Sequence, residues 1–410
     1  MTQNYDIIIV GAGMAGMSLA CGLADSGLKI ALLEGGKLPE RRPEPALDVG
    51  GFDPRVSALT SVSQQFFEQL GVWDNIADIA LSPYDHMCVW DREGTGRIEF
   101  DADLVHQPVL GHIVENRVSV WALYQRLQGS AVNIIHPARV SGLSVQQQAN
   151  AASGDSSYLL ELEDGRCLGA SLLVAADGAV STLRKLAGFD TREWDYQHTA
   201  IVATVETELP HADTARQCFL PTGPLALLPL RSADGGRQFC SIVWSSEPTN
   251  AEHLLALDDA AFCQTLGQTF EHTLGDIRSV SPRFSFPLRQ RHARDYYRPG
   301  LALVGDAAHT IHPLAGQGIN LGLKDVAVLI DEISRGLARG IAPGDPTLLA
   351  RYQRRRLADN LTVMAAMEGF KRLFGGQQLP LRWLRNEGMS LLNRQPAIKA
   401  EVIRRAMGLS

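Results

Sequence analysis

Three short apolar runs along the chain each end at a glycine-containing turn. Residues 6–10 (DIIIV) lead into Gly11, residues 170–176 (ASLLVAA) lead into Asp177-Gly178, and residues 301–304 (LALV) lead into Gly305-Asp306. Short, uninterrupted apolar runs of this kind are typical of buried strands. Helical patterns follow the turns, so the sequence predicts repeated strand-turn-helix units.

The central part of the chain has a different pattern. Short, partly alternating apolar runs are separated by Pro or Gly turns, which predicts antiparallel strands; they are residues 198–206, 215–220, 225–230 and 238–244. Such a sheet can form the apolar roof of a pocket, although core packing is an alternative for each side chain. The candidates for the roof are Phe219, Leu227, Leu228, Pro229 and Trp244.

Beyond Thr347 the pattern becomes helical, breaks at Gly375-Gly376 and resumes. From Arg351 to the C-terminus there are twelve Lys or Arg against four acids, so this tail has a formal charge of +8 and the rest of the chain −15. Solvated helix faces explain most such runs. The functional alternative is a surface for a membrane or an acidic partner, in which Leu381, Trp383, Leu384 and Leu391 alternate with Arg382 and Arg385.

The first turn carries the pattern G-x-G-x-x-G between a strand and a helix. Gly11 permits the tight turn, Gly13 lets the backbone approach a pyrophosphate, and Gly16 allows close helix packing. A second predicted strand, residues 28–33, ends at Glu34, where a carboxylate can bind both hydroxyls of an adenosine ribose. This motif predicts a dinucleotide site and leaves FAD and NAD both open.

The third of these turns is followed by another glycine turn, at residues 316–318. Asp306 lies at the end of a predicted strand, where it can accept hydrogen bonds from ribityl hydroxyls, and Gly316-Gln317-Gly318 opens a helical pattern. The free N–H groups of a helix start attract negative charge, such as that of a reduced flavin. A plain strand-turn-helix connection is the alternative for this segment alone.

The overall composition sets limits on these hypotheses. Hydrophobic residues make up 45% and charged residues 20% of the 410 positions, as in ordinary globular proteins. No apolar run approaches the ~20 residues that span a bilayer, and the N-terminus has no signal-peptide pattern, so we expect a cytoplasmic protein. The six cysteines are scattered without disulfide or metal-ligand spacing, so no metal is expected.

Taken together, GAGMAG, Asp177-Gly178 and the GDAAH of residues 305–309 resemble the FAD-dependent aromatic monooxygenases built like p-hydroxybenzoate hydroxylase. Residues 55–60 (RVSALT), 111–117 (GHIVENR), 194–198 (WDYQH) and 309–320 sharpen this likeness to the ubiquinone-biosynthesis hydroxylases. The resemblance implies an α/β fold: a Rossmann-like FAD-binding domain, an antiparallel β-sheet substrate lobe and a helical C-terminal region.

The resemblance also implies roles for particular residues. The ADP part of FAD is expected at Gly11, Gly13, Ala15, Gly16 and Glu34. Arg55 and Arg117 are expected to approach the cofactor, with a surface or ion-pair role as the alternative for each. Asp177 and Gly178 belong to a motif linked to FAD and to the nicotinamide donor, and Asp306 is expected at the ribityl or pyrophosphate region. The isoalloxazine is expected to be lined by Pro313, Gly316, Gln317, Gly318 and Asn320.

The implied activity is NAD(P)H- and O₂-dependent hydroxylation of a polyprenylphenol, with 2-polyprenylphenol as the expected substrate. The alternatives are another ring position of the same pathway, such as on 2-polyprenyl-6-methoxyphenol, an FAD-dependent isoprenoid reductase that does not use O₂, and a scaffold that binds FAD without catalysis. No catalytic base is identified, because a structural hydrogen bond is at least as good an interpretation of His309 and His312. No nucleic-acid partner is expected, whereas a lipid-binding partner, a membrane contact and a homo-oligomer remain open.

The expected domain organisation is discontinuous. Residues 1–80, 110–190 and 287–345 are expected to form the FAD-binding domain. Residues 81–109 and 191–286 are expected to form the substrate lobe, followed by a helical region at 346–410.

Overall fold

The computed structural model describes residues 3–147, 156–310, 317–375 and 379–408. The strands are β1 (Gln3–Val10), β2 (Ile30–Leu33), β3 (Val56–Leu59), β4 (Ser82–Tyr84), β5 (His86–Asp91), β6 (Arg97–Asp101), β7 (Gly111–Glu115), β8 (Asn133–Ile135), β9 (Val140–Gln147), β10 (Ser156–Leu162), β11 (Cys167–Ala175), β12 (Thr191–Thr207), β13 (Thr214–Leu220), β14 (Gly223–Leu230), β15 (Phe239–Ser246), β16 (Ile277–Val280), β17 (Phe284–Ala293), β18 (Tyr297–Arg298), β19 (Leu301–Leu303) and β20 (His309–Thr310). The α-helices are α1 (Met14–Leu23), α2 (Ser61–Gln69), α3 (Trp73–Ala77), α4 (Asn116–Leu127), α5 (Thr182–Leu186), α6 (Pro248–Ala256), α7 (Asp259–Thr269), α8 (Gln317–Leu337), α9 (Pro346–Gly375), α10 (Leu379–Asn393) and α11 (Pro396–Met407). Two short 3₁₀ helices, Ala102–Val105 and Gly305–Ala307, complete the regular structure of the described residues.

A mainly parallel sheet contains the three strands predicted from the apolar runs. Its order is β18-β19-β11-β1-β2-β8, and the pairs from β19 to β8 are all parallel. These strands are buried on both faces, which explains why they read as continuous apolar runs without alternation. Their carboxyl ends lie on one edge of the sheet, so the loops that follow them converge there.

A second sheet has the order β20-β17-β12-β15-β14-β13-β5-β6. Its pairs are antiparallel, as the alternating pattern predicts, except that β13 and β5 are parallel. One face packs against α6 and α7, where Ile201, Leu225 and Trp244 meet Leu254 and Phe262 in a buried cluster. A smaller sheet, β3-β7-β4, is antiparallel throughout.

The C-terminal helices extend over both sheets. Helix α9 packs along α8, whereas α10 crosses to β6 and α11 to the 3₁₀ helix Ala102–Val105. Met389 of α10 packs with Ile98 and Phe219, and the Asn386 side chain accepts a hydrogen bond from the backbone of Gly96 at 2.6 Å. In the described part of the chain, no helix is both long enough and apolar enough to cross a membrane.

Candidate functional site

The three glycine turns come together at the carboxyl edge of the parallel sheet, because β1, β11 and β19 are neighbouring strands. A side chain at Gly11 would lie 2.4 Å from the backbone oxygen of Ala176, and one at Gly305 would lie 3.4 Å from the side chain of Ala15. The turns therefore touch one another, and glycine is the residue that permits this contact. The site is built from segments almost three hundred residues apart in sequence.

The glycines of the first turn serve different purposes. Gly11 has a φ of +105° and faces the backbone at Ala176, and a side chain at Gly16 would lie 1.9 Å from the oxygen of Gly11. Both glycines are therefore required by the fold itself. A side chain at Gly13, by contrast, would meet no protein atom within 4 Å. Gly13 precedes the first turn of α1, where no side chain caps the helix, so open space lies beside free N–H groups that favour an anion.

The carboxylate of Glu34 lies beside this turn, at the end of β2. One of its oxygens accepts a hydrogen bond from the N–H of Ala12 at 2.7 Å, and the other accepts one from the N–H of Gly36 at 2.5 Å. Each carboxylate oxygen has a second acceptor site. Glu34 can therefore fix the glycine turn and still receive two hydroxyl groups.

Asp177 performs a local structural task as well. One oxygen caps α5 by accepting hydrogen bonds from the N–H groups of Thr182 at 2.7 Å and Leu183 at 3.1 Å. Its other oxygen is buried and has no partner among the described residues. The next residue, Gly178, has a φ of +80°, which only glycine adopts readily.

Asp306 is solvent-accessible although protein surrounds it closely. This surrounding protein raises the pKa of its carboxyl group, whereas the charges of His309 and Arg55 lower it. The structure thus brings Arg55, from the loop before β3, into electrostatic contact with the third turn. An exposed carboxylate in a depression, facing a cation, can bind hydroxyl groups.

Arg117 holds the loop that leads to Arg55. Its guanidinium donates to the backbone oxygen of Gly51 at 2.7 Å and lies 2.9 Å from Glu115, while its Nε atom is buried without a partner among the described residues. Burial raises the pKa of Glu115, although the N–H of Asp53 and the Arg117 charge oppose this effect. Arg117 therefore has the ion-pair role considered from the sequence, and one donor remains unused.

Of the residues predicted to line the isoalloxazine, the structure describes three. Gln317 and Gly318 begin α8, at the end of the predicted glycine turn. The side chain of Asn320 is buried and binds the β3–α2 connection, accepting from Ser63 at 2.7 Å and donating to the oxygen of Ala58 at 2.8 Å. Pro313, Gly316 and His312 lie outside the described residues.

Strand pairing determines which predicted roof residues share a face of the second sheet. Leu227, Pro229 and Trp244 lie on the face that packs against α6 and α7, where Leu227 and Trp244 are core residues. Leu228 and Phe219 lie on the opposite face. The five candidates are thus divided between two faces. Neighbours such as Leu227 and Leu228 cannot share a face, because successive side chains of a strand point to opposite sides.

One end of the opposite face packs against the smaller sheet and the loop before it. On this face Leu230 and Phe239 pack against Phe52, Ala58 and Ile113 of the loop and strands near Arg55. At the other end of the same face, Phe219 is covered by Met389 of α10. Between these contacts, the paired residues Ala226 and Val243 remain partly exposed. An apolar surface therefore lies between the two covered ends of this face.

Several buried residues near the site were not identified from the sequence as part of it. Arg184 of α5 donates to the backbone oxygen of Ala307 at 2.8 Å, and Asp325 of α8 lies 2.8 Å from Arg356 of α9. The sequence interpretation counted Arg356 with a solvated basic tail, but its side chain is buried. The spacing of Tyr352, Arg356 and Asn360 on one face of a helix was the available signal.

These features fit a flavin dinucleotide. The open space at Gly13 and the uncapped start of α1 suit a pyrophosphate, Glu34 suits a ribose, and Asp306 with Arg55 suits a polar chain beyond it. The unpartnered atoms of Asp177 and Arg117 supply further buried polar groups at this edge.

Comparisons with known proteins agree with this geometry. The family model described as "FAD binding domain" matches residues 4–366. The 3-demethoxyubiquinol 3-hydroxylase of Escherichia coli K12 is 36% identical, with 99% of each chain covered. Ubiquinone biosynthesis monooxygenase COQ6 of Xenopus tropicalis is 35% identical, covering 97% of this chain and 92% of that protein, and ubiquinone hydroxylase UbiL of Rhodospirillum rubrum is 37% identical, covering 98% and 89%.

Solved structures show the same fold. The p-nitrophenol 4-monooxygenase of Pseudomonas putida superposes with a TM-score of 0.76 at 16% identity, with 99% of both chains covered. PqsL of Pseudomonas aeruginosa, a probable FAD-dependent monooxygenase, superposes with a TM-score of 0.75 at 21% identity, covering 95% of this chain and all of the other. The family resemblance and the Rossmann-like fold predicted from the sequence are therefore confirmed. The chain belongs to the ubiquinone-biosynthesis FAD-dependent hydroxylases, and it is an FAD-dependent monooxygenase that uses NAD(P)H and O₂.

Proposed function

We propose that this enzyme hydroxylates the ring of a polyprenylphenol intermediate of ubiquinone biosynthesis, with 2-polyprenylphenol as the expected substrate. The observation that carries the proposal is the partly exposed apolar surface at Ala226 and Val243, on the sheet face whose end packs against Phe52 of the loop that carries Arg55. When bound, FAD supplies the redox chemistry by which NAD(P)H is oxidised and one atom of O₂ is added to the ring while the other leaves as water.

In this proposal, residues of the chain bind FAD and orient it toward the substrate ring. Gly11, Gly13, Gly16 and Glu34 hold the ADP part of FAD, and Asp306 and Arg55 hold the chain between the phosphates and the ring system. Asp177 offers its unpartnered oxygen near the second turn, and residues 317–318 place the start of α8 toward the flavin. The apolar face excludes water from the reacting ring, which limits unproductive loss of oxidising equivalents.

A second ring position is a specific alternative. The relative from Escherichia coli is named 3-demethoxyubiquinol 3-hydroxylase, so a methoxylated ring is the second candidate substrate. The two candidates predict different consequences of losing the gene. Accumulation of 2-polyprenylphenol supports the first proposal, accumulation of a demethoxyubiquinol supports the second, and normal ubiquinone with neither intermediate contradicts both.

Substrate uptake requires a membrane or a lipid carrier in this proposal. Each CH₂ group of a polyprenyl tail favours an apolar environment by about 0.8 kcal/mol, so almost no free substrate exists in water. Leu391 of α10 and Ile398 of α11 are 62% and 55% exposed; Arg394 lies between them in sequence, and Lys399 follows Ile398. We propose that this basic apolar surface makes a peripheral contact with the membrane that holds the substrate.

This contact can be tested without removing the helices, which pack through Met389 on the second sheet, the proposed substrate sheet. The double variant Leu391→Gln/Ile398→Gln is expected to lower kcat/KM about tenfold for substrate in anionic vesicles, because two exposed apolar anchors are lost. With a short-tailed, water-soluble phenol it should match the wild type. Equal activity of both proteins on vesicle-held substrate would remove this surface from the proposal.

A further inference from the structure

A buried cluster of charged side chains lies beneath the third glycine turn. Its centre is Asp325 of α8, whose side chain is 0% exposed. One carboxylate oxygen accepts the N–H of Gly305 at 3.1 Å and lies 2.5 Å from Nε2 of His309. Because a carboxylate only accepts, His309 donates from Nε2, so the Asp325 carboxylate holds both ends of residues 305–309, the segment that carries Asp306.

The other oxygen of Asp325 is held by helix α9. It accepts hydrogen bonds from Nε of Arg356 at 2.8 Å and from the side-chain amide of Asn360 at 3.1 Å. Burial alone would raise the pKa of Asp325, but the charges and hydrogen bonds of His309 and Arg356 outweigh it and keep the pKa below its usual value. The carboxylate therefore stays ionised, and four hydrogen bonds fix its orientation.

The second ring nitrogen of His309, Nδ1, is buried and has no hydrogen-bond partner among the described residues. The whole side chain is only 1% exposed. Leaving a buried polar atom without a partner is unfavourable. His309 follows Asp306 by three positions and is the first residue of β20, so this nitrogen belongs to the segment that carries Asp306.

We propose that Asp325 and His309 form a positioning pair for bound FAD, in which Arg356 and Asn360 orient the carboxylate and the carboxylate holds His309 with Nδ1 on the cofactor side. Helix α9 thereby sets the geometry of Asp306 although it contributes no predicted cofactor contact. The inference rests on the proposed flavin site and is independent of the ring position that is hydroxylated.

The same pair of helices provides a matched control. Glu332 lies seven residues after Asp325, two turns along α8, and is also buried. It accepts hydrogen bonds from Arg351 at 2.8 Å and from Arg355 at 2.8 Å, both on α9. Among the described residues its hydrogen bonds go to α9 and none goes to residues 305–309. Glu332 thus joins α8 to α9 as Asp325 does, without touching the cofactor segment.

The test compares Asp325→Asn with Glu332→Gln in the purified full-length protein. Both changes remove a buried charge and should lower the melting temperature of the FAD-free protein. Only Asp325→Asn is expected to weaken FAD binding by about tenfold or more and to shift the visible absorption of the bound flavin, since it weakens the charged hydrogen bonds that hold residues 305–309. Similar FAD dissociation constants for both variants, or an unchanged constant for Asp325→Asn, would overturn the proposal.

A second variant addresses Nδ1 and does not depend on whether Asp325→Asn folds. In His309→Gln the side-chain amide can still donate to Asp325 but offers no group at the position of Nδ1. We expect a folded protein with an altered flavin spectrum and weaker FAD binding; a wild-type spectrum and affinity would show that Nδ1 has no role. Glu34→Gln serves as the reference for the proposed ADP site. If it binds FAD as tightly as wild type, the site proposal fails, which is distinguishable from failure of the Asp325–His309 pair.

Discussion

The parallel sheet and the substrate sheet place functional residues by different means. At the parallel sheet, backbone geometry decides the residue type: Gly16 must be glycine because a side chain would lie 1.9 Å from the oxygen of Gly11. In the substrate sheet both faces carry apolar side chains, and packing distinguishes them. Leu227 enters the core with α6 and α7, while its neighbour Leu228 lies on the other face and packs against the cluster that contains Phe52 and Ile113.

This difference teaches that a motif is visible in sequence when the backbone itself imposes it. A pocket wall made of ordinary apolar side chains carries no such mark, because alternate residues of a strand face opposite sides and either side can be the core. The following predictions test this contrast, beginning with the largest expected effect.

At the parallel sheet, Gly16→Ala and Gly13→Ala should separate folding from cofactor binding. The side chain at position 16 would overlap the backbone of Gly11, so we expect the free energy of unfolding of the FAD-free protein to fall by about 3 kcal/mol, with FAD binding lost. At position 13 no protein atom lies within 4 Å, so the FAD-free protein should unfold with a free energy within about 0.5 kcal/mol of wild type.

FAD titration completes this comparison. Because the space beside Gly13 is assigned to the pyrophosphate, Gly13→Ala should still weaken FAD binding by about tenfold or more. Denaturant unfolding and flavin fluorescence measure the two quantities separately. Unchanged FAD affinity in Gly13→Ala would place the pyrophosphate elsewhere.

In the substrate sheet, Leu227→Ala and Leu228→Ala compare the two faces at adjacent positions. Leu227 is 1% exposed within a core cluster, so its truncation should lower the free energy of unfolding by about 2–5 kcal/mol and leave KM for the phenol unchanged. Leu228 is partly exposed on the other face, so its truncation should destabilise less and lower kcat/KM by about tenfold. The reverse pattern, with KM sensitive to Leu227, would mean that the pocket faces α6 and α7.

The sequence predicted the parallel strands, the glycine turns, Glu34 and the helix that begins at Gln317, since each is a local pattern with a backbone cause. It also predicted β13, β14 and β15 at nearly their observed bounds, whereas β12 begins at Thr191, seven residues before the predicted start. It did not predict which side of that sheet is the core, because α6 and α7 were not recognised as its cover. Arg356 was interpreted as a surface charge because its partner, Asp325, lies thirty-one residues away and only tertiary structure joins them.

A further prediction concerns two buried histidines, His112 on β7 of the smaller sheet and His292 on β17 of the substrate sheet. Burial lowers the pKa of each to about 4, with Arg231 adding to the effect at His112 and His309 at His292. In the unfolded chain the value is about 6.5, so between these pH values the unfolded state binds more protons and the free energy of unfolding falls as pH falls. At pH 5 the loss should be about 2 kcal/mol for each histidine.

Urea unfolding at pH 7.5 and pH 5 measures this dependence. In His112→Gln about half of the combined loss should disappear, while the dependence due to His292 remains. A protein equally stable at the two pH values would contradict neutral burial of both rings.

The most direct test of the proposed activity is incubation of the FAD-loaded enzyme with NAD(P)H, ¹⁸O₂ and 2-polyprenylphenol, followed by mass spectrometry of the phenol. We expect the ring to gain one ¹⁸O atom, with NAD(P)H oxidation stimulated by the phenol. Oxidation of NAD(P)H with reduction of an isoprenoid double bond and without O₂ uptake, or a hydroxyl group that carries no ¹⁸O, would contradict the assignment of the enzyme as a polyprenylphenol hydroxylase.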